Sequence, residues 1–316
     1  MMNNVKVTKR GADRIRGGHL WIYKSDVADP GETAGGSVVR VTDGHGNFIG
    51  QALFSDRSEI ALRLLTQGME TIDSEWWRRR LRAAARRREQ IVSETNAYRL
   101  VNSEGDLLSS LIIDVYDDIF VIQTLSQGTE CIKPMLVELL VEEFAPRAIV
   151  ERNDMRVRQL EGLEMIAGTL YGACPAELEI VQHRVWSVVD PLSGQKTGSF
   201  LDQRENRLAA RAVARGRALD CFTFAGAFAL NLAPVCESVL GIDISGVAIA
   251  AAERNAALNG ATNVEFREAN VFDALREMEN DGERFDIIVL DPPAFAKNRA
   301  RGRSADRAPW QALRAH

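Results

Sequence analysis

Three aspartates in the last third of the sequence each follow a short apolar run. Asp220, Asp243 and Asp291 stand at or just after stretches that are typical of buried strands. An acid at the end of a strand can accept hydrogen bonds from both hydroxyls of a ribose, and a glycine nearby lets the backbone approach the ligand closely. Gly226 precedes Asp243 by roughly the 20 residues that nucleoside-binding folds place between these two groups. The spacing therefore predicts a nucleoside cofactor at the strand ends.

The glycine pattern also has a simpler interpretation. The run Phe224-Ala225-Gly226-Ala227-Phe228 contains one glycine, whereas the dinucleotide fingerprint has three. Without a ligand, Gly226 would form only a tight turn between a strand and a helix, and Asp220 and Asp243 would cap the helices that follow them. The missing glycines disfavour a nicotinamide-dependent dehydrogenase.

The run Asp291-Pro292-Pro293-Ala294-Phe295 is a stronger indication of function. Two prolines after a buried strand give a rigid loop that continues neither as a strand nor as a helix. Such a loop can present a carboxylate and carbonyl groups to a flat base while an aromatic ring stacks on that base. We therefore predict catalytic roles for Asp291, Pro292 and Phe295, and the alternative is a plain proline turn.

Helices and strands alternate around these residues. Helices are predicted at Asp202 to Arg215, Ala227 to Val235 and Gly246 to Leu258, and strands at Arg217 to Phe222, Val239 to Ile242, Val264 to Arg267 and Phe285 to Leu290. This rhythm predicts a parallel sheet with helices on both faces, which binds its ligands at the carboxyl ends of the strands.

The sequence before residue 186 predicts two smaller domains. Short β-rich runs at Val38 to Val41, Phe48 to Gly50 and Glu59 to Leu65 predict a small β-barrel. The pattern of strand, strand, helix and strand between Tyr98 and Val150 predicts a compact α+β domain, with a hairpin turn at Tyr116-Asp117-Asp118. The predicted domains are 1–72, 73–185 and 186–316.

A helix is predicted between these two patterns, with Asp73 or Ser74 as its cap. Its residues at helical spacing are Trp77, Leu81, Ala84, Ala85, Arg88 and Ile91. Seven arginines and no acid lie between Arg78 and Arg88. Because phosphate binding depends on local cation density, this helix is a candidate RNA contact, and an exposed solvated face is the alternative.

Composition places the chain among globular proteins. Its 316 residues carry a formal net charge of −5, and the sequence shows neither a membrane span nor a signal-peptide core. The four cysteines lack metal-ligand spacing, so we expect no metal site and a reduced, cytoplasmic location.

Several motifs together resemble one family. The run Ala218 to Phe228 resembles the cofactor loop of the bacterial large-subunit ribosomal RNA methyltransferases that carry a PUA domain and act on cytosine C5, the methyltransferase I family. Further motifs match at Gly194 to Arg204, Val271-Phe272-Asp273, Asp291 to Phe295, Gly18 to Trp21 and Tyr98 to Asp106. The resemblance covers nearly the whole chain, to about Lys297. It implies an α/β Rossmann-like class I methyltransferase domain, preceded by a β-barrel PUA domain and a compact α+β domain, with S-adenosylmethionine (SAM) as cofactor.

The resemblance also implies a role for each matching position. In the family, the segment that matches Gly194 to Arg204 closes over the methionine end of the cofactor. The implied cofactor-binding residues are Lys196, Phe200 and Gln203 in that segment, Asp220, Phe222 and Gly226 in the first loop, Asp243 and Ile244 after the second strand, Asn270 and Val271 beside the adenine, and Asp291. The family usually has aspartate where Asn270 stands, so this chain departs from the family's pattern at the residue that would contact adenine.

The N-terminal stretch resembles a PUA domain, which implies RNA binding. Cations and aromatic residues interleave there, as phosphate contact and base stacking require, although we expect Trp21 in the barrel core. The predicted RNA-binding residues are Arg14, Arg16 and His19 in this stretch, with Arg78, Arg79, Arg82 and Arg86 in the arginine-rich helix. Large-subunit ribosomal RNA is the predicted partner, a homodimer is a further candidate assembly, and no membrane association is expected.

The predicted chemistry needs a nucleophile that the sequence does not supply. Cytosine C5 reacts poorly, and family members are thought to activate it with a cysteine thiolate that attacks the neighbouring carbon. That cysteine lies well beyond the Asp-Pro-Pro loop, whereas no cysteine follows Cys236 here, and Cys221 has the pattern of a buried small hydrophobe.

We therefore expect a shortened or frame-disrupted chain, or a fragment, whose methyltransferase sheet stops at its fourth strand and which transfers no methyl group itself. Two alternatives stay open. One is methylation of a guanine nitrogen on the same fold, and the other is an RNA-binding protein with an inactive methyltransferase remnant.

Overall fold

The computed structural model describes residues 3–194 and 197–293, so the predicted site residues Lys196 and Phe295 lie outside the described part of the chain. The chain divides into two compact units. The N-terminal unit contains the residues up to His183 and residues 189–201, and the C-terminal unit contains residues 184–188 and those from Asp202 onward. Within the described ranges, no helix combines the length and the apolar character that crossing a membrane requires.

The N-terminal unit begins with a six-stranded sheet. Its strands are β1 (Asn4–Val7), β2 (Trp21–Tyr23), β3 (Val27–Asp29), β4 (Val38–Thr42), β5 (Phe48–Phe54) and β6 (Ile60–Thr66), in the order β2-β6-β5-β4-β1-β3. Helix α1 (Lys9–Arg16), which the sequence interpretation missed, begins after Thr8, whose side chain accepts a hydrogen bond from the Gly11 amide. Ala12 and Ile15 of this helix pack into the apolar core of the sheet.

Helix α2 (Ser74–Ile91) follows, and Asp73 caps it as predicted by accepting a hydrogen bond from the Trp76 amide at 2.9 Å. The side chains that anchor this helix, Trp76, Trp77 and Leu81, are at most 1% exposed. The predicted buried face is confirmed for Trp77 and Leu81 but is wrong for Ile91, which is 62% exposed because the helix ends there.

A second sheet packs against α2 in the same unit. Its strands are β7 (Ala97–Asn102), β8 (Leu111–Tyr116), β9 (Ile119–Thr124), β10 (Ala148–Asn153) and β11 (Ile166–Gly172), in the order β11-β10-β9-β8-β7, accompanied by helices α3 (Gln127–Cys131) and α4 (Lys133–Phe144). The predicted hairpin turn between β8 and β9 is present, with Asp117 at a φ of 57°. Two further strands, β12 (Leu178–Gln182) and β13 (Val185–Val189), follow where the chain passes from one unit to the other.

The C-terminal unit contains the alternating pattern that the sequence predicts. Its helices are α5 (Arg204–Val213), α6 (Ala227–Leu232), α7 (Gly246–Leu258) and α8 (Val271–Asn280), and its strands are β14 (Arg217–Cys221), β15 (Ser238–Asp243), β16 (Val264–Glu268) and β17 (Ile287–Leu290). The strands are parallel in the order β16-β15-β14-β17. Ala218 of β14 faces a core that includes α6, whereas Leu219 and Cys221 face a core that includes α8, so both faces of the sheet are covered. Among the described α-helices and strands of this unit, α8 is the one that the sequence interpretation missed.

Candidate functional site

The carboxyl ends of the parallel strands bring the three predicted acids together. Cys221, the last residue of β14, is in register with Ile242 of β15 and Leu290 of β17. Asp243 and Asp291 each come one residue after those partners, and Asp220 comes one residue before Cys221. The structure therefore places Asp220, Asp243 and Asp291 at one edge of the sheet, where parallel sheets bind their ligands.

Asp220 is buried and supports the turn between β14 and α6. Its Oδ2 accepts hydrogen bonds from Thr223 Oγ1 at 2.5 Å and from the Ala229 amide, in the first turn of α6, at 3.0 Å. Burial raises the pKa of this carboxyl to about 7, against the opposing effects of these two hydrogen bonds and of Arg207. The capping alternative therefore describes what Asp220 does in the structure.

Asp243 is half-buried and joins the first loop to the start of α7. Its Oδ2 accepts a hydrogen bond from the Phe224 amide at 3.0 Å, and its Oδ1 accepts one from the Ser245 amide at 2.9 Å. The helix itself is capped by the Ser245 side chain, which accepts from the Ala248 amide, so the capping alternative is wrong for Asp243. Each carboxylate oxygen retains a second lone pair for a ligand.

The loop between β14 and α6 contains strained backbone. Phe222 and Phe224 have φ angles of 62° and 51°, and Gly226 has a φ of 80°. Residues with side chains rarely adopt this region, and such strain concentrates at functional sites. A Cβ at Gly226 would also lie 2.9 Å from the Phe266 ring, so packing and backbone conformation both require glycine there.

The predicted adenine residues stand at the start of α8. Asn270 caps this helix, since its Oδ1 accepts a hydrogen bond from the Phe272 amide at 2.9 Å. The Val271 side chain is 2% exposed and belongs to the core under α8, so only its backbone could face a ligand. The amide nitrogen of Asn270, which the cap does not use, is the group through which this position could contact adenine.

Sequence reasoning missed an acid at the same edge. Glu268 ends β16, is exposed, and is in register with Asp243. A Cβ at Gly246, the first residue of α7, would lie 2.5 Å from its carboxylate. The acid at the end of the run Val264 to Glu268 follows the pattern of Asp243 and could have been found by the same argument.

The remaining predicted cofactor residues are divided between the two units. Gln203 precedes α5 in the C-terminal unit, where its Oε1 accepts a hydrogen bond from Asn206 Nδ2 at 2.6 Å. Phe200 is half-buried in the N-terminal unit. Asp291 and Pro292 are exposed at the end of β17, and Ile244 is 67% exposed next to Asp243.

This edge has the chemistry that a charged nucleoside requires. Carboxylates can accept hydrogen bonds from ribose hydroxyls and from an ammonium group, and an exposed aliphatic side chain can cover a flat base. The exposed Ile244 beside the Asp243 carboxylate provides this pairing, so the residues present fit a nucleoside cofactor. Among residues 3–194 and 197–293, no cluster of His, Cys, Asp or Glu is arranged to hold a metal ion.

The cysteine at the end of β14 has an environment that disfavours a nucleophile. Cys221 is completely buried, and burial raises the pKa of its thiol to about 12, with a further contribution from Asp220. The thiolate, which is the reactive form, is therefore disfavoured at neutral pH. This confirms the interpretation of Cys221 as a buried small hydrophobe.

A surface groove in the N-terminal sheet domain contains two of the predicted RNA-binding residues. It is lined by Lys9, Arg10, Asp13, Arg14, Gly17 and His19. The Arg14 guanidinium lies 5.1 Å from the centre of the Tyr23 ring and pairs with buried Asp26 at 3.2 Å, Arg10 also pairs with Asp26, and Arg16 forms an ion pair with Asp43 at 3.0 Å. The lining carries more cations than acids, as a phosphate contact requires.

Trp21 does not lie in the barrel core, so that expectation is wrong. It is 37% exposed, and its Nε1 donates a hydrogen bond to Glu104 Oε1 at 2.8 Å. The next residue of β2, Ile22, points to the opposite face and occupies the core in its place.

The arginine-rich face of α2 is largely engaged within the protein. Arg78 pairs with Glu142 and Glu143 of α4, and Arg82 also pairs with Glu143. Hydrogen bonds from these two guanidiniums lower the pKa of Glu143. Buried Arg88 binds Asp106 through two hydrogen bonds of 2.6 Å. The remaining predicted residues, Arg79 and Arg86, are exposed.

Comparison with known sequences and structures defines the class of the protein. A family profile described as a PUA-like domain matches residues 5–67, and one described as a methyltransferase domain matches residues 213–306. A crystal structure of a protein assigned as a methyltransferase, complexed with SAH, has a TM-score of 0.81 at 21% identity and covers 94% of this chain and 78% of its own. A Streptococcus mutans protein assigned as a SAM-dependent methyltransferase has a TM-score of 0.78 at 21% identity, with 93% and 78% coverage. Fold and site thus define a class I SAM-dependent methyltransferase preceded by a PUA-like domain, as predicted.

The sequence relatives identify the family. The ribosomal RNA large subunit methyltransferase I of Shewanella amazonensis is 38% identical, over 89% of this chain and 74% of the relative. The proteins of that name from Shewanella denitrificans and Erwinia tasmaniensis are each 37% identical, over 89% of this chain and 74% and 73% of the relatives. This chain therefore belongs to the ribosomal RNA large subunit methyltransferase I family. The predicted enzyme class and the predicted cofactor, SAM, are confirmed at this level.

Proposed function

We propose that this protein transfers the methyl group of SAM to C5 of a cytosine in large-subunit ribosomal RNA. Membership of the family, carried by 38% identity across 89% of the chain, is the observation that supports the RNA substrate most directly. The choice of cytosine C5 rests on the motif resemblance. Methylation of a guanine nitrogen stays the second candidate, because the described Asp-Pro-Pro loop suits either base.

For the cofactor, we propose that the strand-end acids bind its polar groups. Asp243 accepts hydrogen bonds from the ribose hydroxyls with the lone pairs that its backbone contacts leave unused, and Ile244 covers one face of the adenine. Asn270 offers its amide nitrogen to the adenine edge. Asp220 orders the loop that carries Phe222 and Gly226, and Asp291 with Pro292 presents the base to be methylated. Lys196, Phe200, Gln203 and Phe295 remain proposals from the resemblance alone.

For the RNA, we propose that the groove on α1 makes the main phosphate contacts. Arg14 and His19 line this groove with Lys9 and Arg10, and Arg16 lies on the same helix. Arg79 and Arg86 of α2 are exposed, and the ion pair of Arg79 with Glu70 is long, at 3.6 Å, so both residues are proposed as additional contacts. Arg78 and Arg82 are held by Glu142 and Glu143 of α4, so their contribution to RNA binding should be smaller. Arg10 and Arg14 also pair with an acid, Asp26, but the groove that they line adds Lys9 and His19.

Cytosine C5 chemistry makes a specific demand on a thiol. A thiolate must add to C6 so that C5 can take the methyl group from the sulfonium, after which C5 loses its proton and the thiolate is released. The structure does not favour Cys221 for this role, given its burial and raised pKa. We propose no cysteine of this chain as the nucleophile. The identity of the methylated nucleoside must therefore distinguish cytosine C5 from a guanine nitrogen as the target.

The test is incubation of the purified protein with radiolabelled SAM and unmodified large-subunit ribosomal RNA, followed by nucleoside analysis. Label in 5-methylcytidine would support cytosine C5 as the target and would show that a thiolate is available for addition to C6. Label in a methylguanosine would replace cytosine C5 with the second candidate. Binding of SAM and RNA without transfer of label, which the sequence interpretation expects of this chain, would contradict the proposed activity. It would support the alternative of an RNA-binding protein with an inactive methyltransferase remnant.

A further inference from the structure

The loop between β14 and α6 needs support from outside, because Phe222 and Phe224 hold unfavourable φ angles of 62° and 51°. Such conformations persist only when neighbouring groups fix them. Asp220 supplies one support by binding Thr223 Oγ1, and Asp243 supplies another by accepting from the Phe224 amide. Both of these acids also belong to the cofactor edge itself.

A third support comes from α7, from a residue that no motif singled out. Asn255 Nδ2 donates a hydrogen bond to the Ala225 carbonyl at 2.9 Å, and Asn255 Oδ1 accepts one from the Val188 amide at 2.9 Å. The side chain is 1% exposed, so it offers almost no surface to a ligand. Because Nδ2 donates and Oδ1 accepts, a flip of the Asn255 side-chain amide would break both hydrogen bonds.

The contact of Asn255 fixes the peptide bond between Ala225 and Gly226 from both ends. The carbonyl of that peptide binds Asn255, and its N–H, which belongs to Gly226, donates to the Thr223 carbonyl at 2.9 Å. The backbone at this point can therefore rotate only if it breaks a hydrogen bond. Loss of the Asn255 amide would leave the Ala225 carbonyl without this donor, which is costly for a partly buried acceptor.

Asn259, one helical turn further along, provides a matched comparison. Its Oδ1 accepts from the Trp186 amide at 2.8 Å, and its Nδ2 donates to the Trp186 carbonyl at 2.7 Å. Both asparagines thus hold the backbone of β13 against α7. The two side chains differ in the partner of Nδ2, which in Asn255 donates to the cofactor loop and in Asn259 donates to β13 and to the Asn255 carbonyl.

We propose that Asn255 is a positioning residue for the SAM site, which acts through the Ala225 carbonyl and not by contact with the cofactor. It holds the loop residues Phe222 to Gly226 in the conformation that the cofactor meets. The inference deepens the proposed function and rests on it, since it assumes that this loop binds SAM.

The test is calorimetric titration of SAM into the full chain and its Asn255→Ala and Asn259→Ala variants, with melting temperatures measured alongside. We expect Asn255→Ala to weaken SAM binding about tenfold, the effect of one lost hydrogen bond to a partly buried acceptor. Asn259→Ala should stay within about twofold of the unmodified protein. Both variants should lower the melting temperature, because each loses a contact to β13, and neither should change the affinity for RNA.

A second variant separates the two hydrogen bonds of Asn255. Asn255→Asp retains an oxygen to accept from the Val188 amide but loses the donor to Ala225, so it should weaken SAM binding as Asn255→Ala does. Unchanged SAM affinity in Asn255→Asp, or equal weakening in Asn259→Ala, would overturn the proposal. An unmodified chain that binds no SAM would instead overturn the proposed function, and this inference with it.

Discussion

Protonation of the Asp220 carboxyl makes the free energy of unfolding depend on pH. Its carboxyl has a pKa of about 7 because it is buried, so the folded protein keeps a proton there that the unfolded chain releases near pH 4. Between these two pH values the unfolded state binds fewer protons, and the free energy of unfolding therefore falls as the pH rises. Above about pH 8 the carboxyl is ionised in both states and its effect is constant.

The Asp220→Asn variant should remove this dependence. We expect the unmodified protein to lose about 2–4 kcal/mol of unfolding free energy between pH 5 and pH 8 that the variant does not lose. Urea unfolding at several pH values measures the difference, with Asp281→Asn, at an exposed aspartate after α8, as the control. Parallel pH profiles for the unmodified protein and Asp220→Asn would show that this carboxyl does not titrate in the folded range.

Substitution of Gly226 tests whether steric packing, as well as backbone conformation, requires glycine at this position of the loop. Gly226 and Gly260 have φ angles of 80° and 59°, but a Cβ meets the Phe266 ring at 2.9 Å only at Gly226, while Gly260 faces open space. Gly226→Ala should therefore reduce the unfolding free energy by more than Gly260→Ala, which should cost about 1 kcal/mol. Equal losses in urea unfolding would mean that the conformation alone requires glycine.

At the scale of the elements, the sequence predicted best where periodicity was strong. The alternating strands and helices of the C-terminal unit were found because their apolar runs end at marked residues such as Asp220 and Asp243. Helix α1 was missed because Gly11 lies inside it, although close packing on Asp26 explains that glycine. The position of Trp21 could not be predicted, since only the pairing of β2 decides which of two neighbouring apolar side chains is buried.

The arginines of α2 illustrate the same limit for charge. The segment from Arg78 to Arg88 contains seven cations and no acid, and Arg78 pairs with Glu75 of the same helix, but the partners Glu142, Glu143 and Asp106 come from other elements. Counting charges along one helix could not reveal those pairs. Asn255 was likewise invisible, because its role depends on two backbone groups on other elements.

Two double variants of α2 separate structural arginines from RNA contacts. Arg78→Gln with Arg82→Gln should lower stability, because both arginines pair with Glu143 of α4, and should change RNA binding little. Arg79→Gln with Arg86→Gln should leave stability nearly unchanged and should reduce the salt dependence of RNA affinity by about one phosphate contact for each arginine. Binding isotherms over a range of salt concentrations measure this slope, and slopes equal to that of the unmodified protein in both double variants would remove α2 from the RNA surface.

For the whole molecule, we propose that the main RNA contacts lie in the N-terminal unit and that the strand-end acids of the C-terminal unit bind the cofactor. The two activities should therefore respond to different substitutions. Arg14→Gln with His19→Gln should weaken RNA binding in a salt-dependent manner and leave the SAM affinity unchanged. Gel-shift and calorimetric titrations of the same preparation compare the two, and a parallel loss of both affinities would argue against this division.

The most direct measurement is the titration of SAM into the purified protein and its Asp243→Ala variant. The Asp243 carboxylate stands at the end of β15 with lone pairs left for the ribose hydroxyls, so its loss should weaken binding by about 1.5–3 kcal/mol, or roughly ten- to a hundredfold. Asp281→Ala, at an exposed acid after the last turn of α8, serves as the control and should bind SAM as the unmodified protein does. Saturable binding that Asp243→Ala weakens by this amount is the predicted result. Equal affinities for the unmodified protein and Asp243→Ala would contradict the assignment of this strand end as the cofactor site.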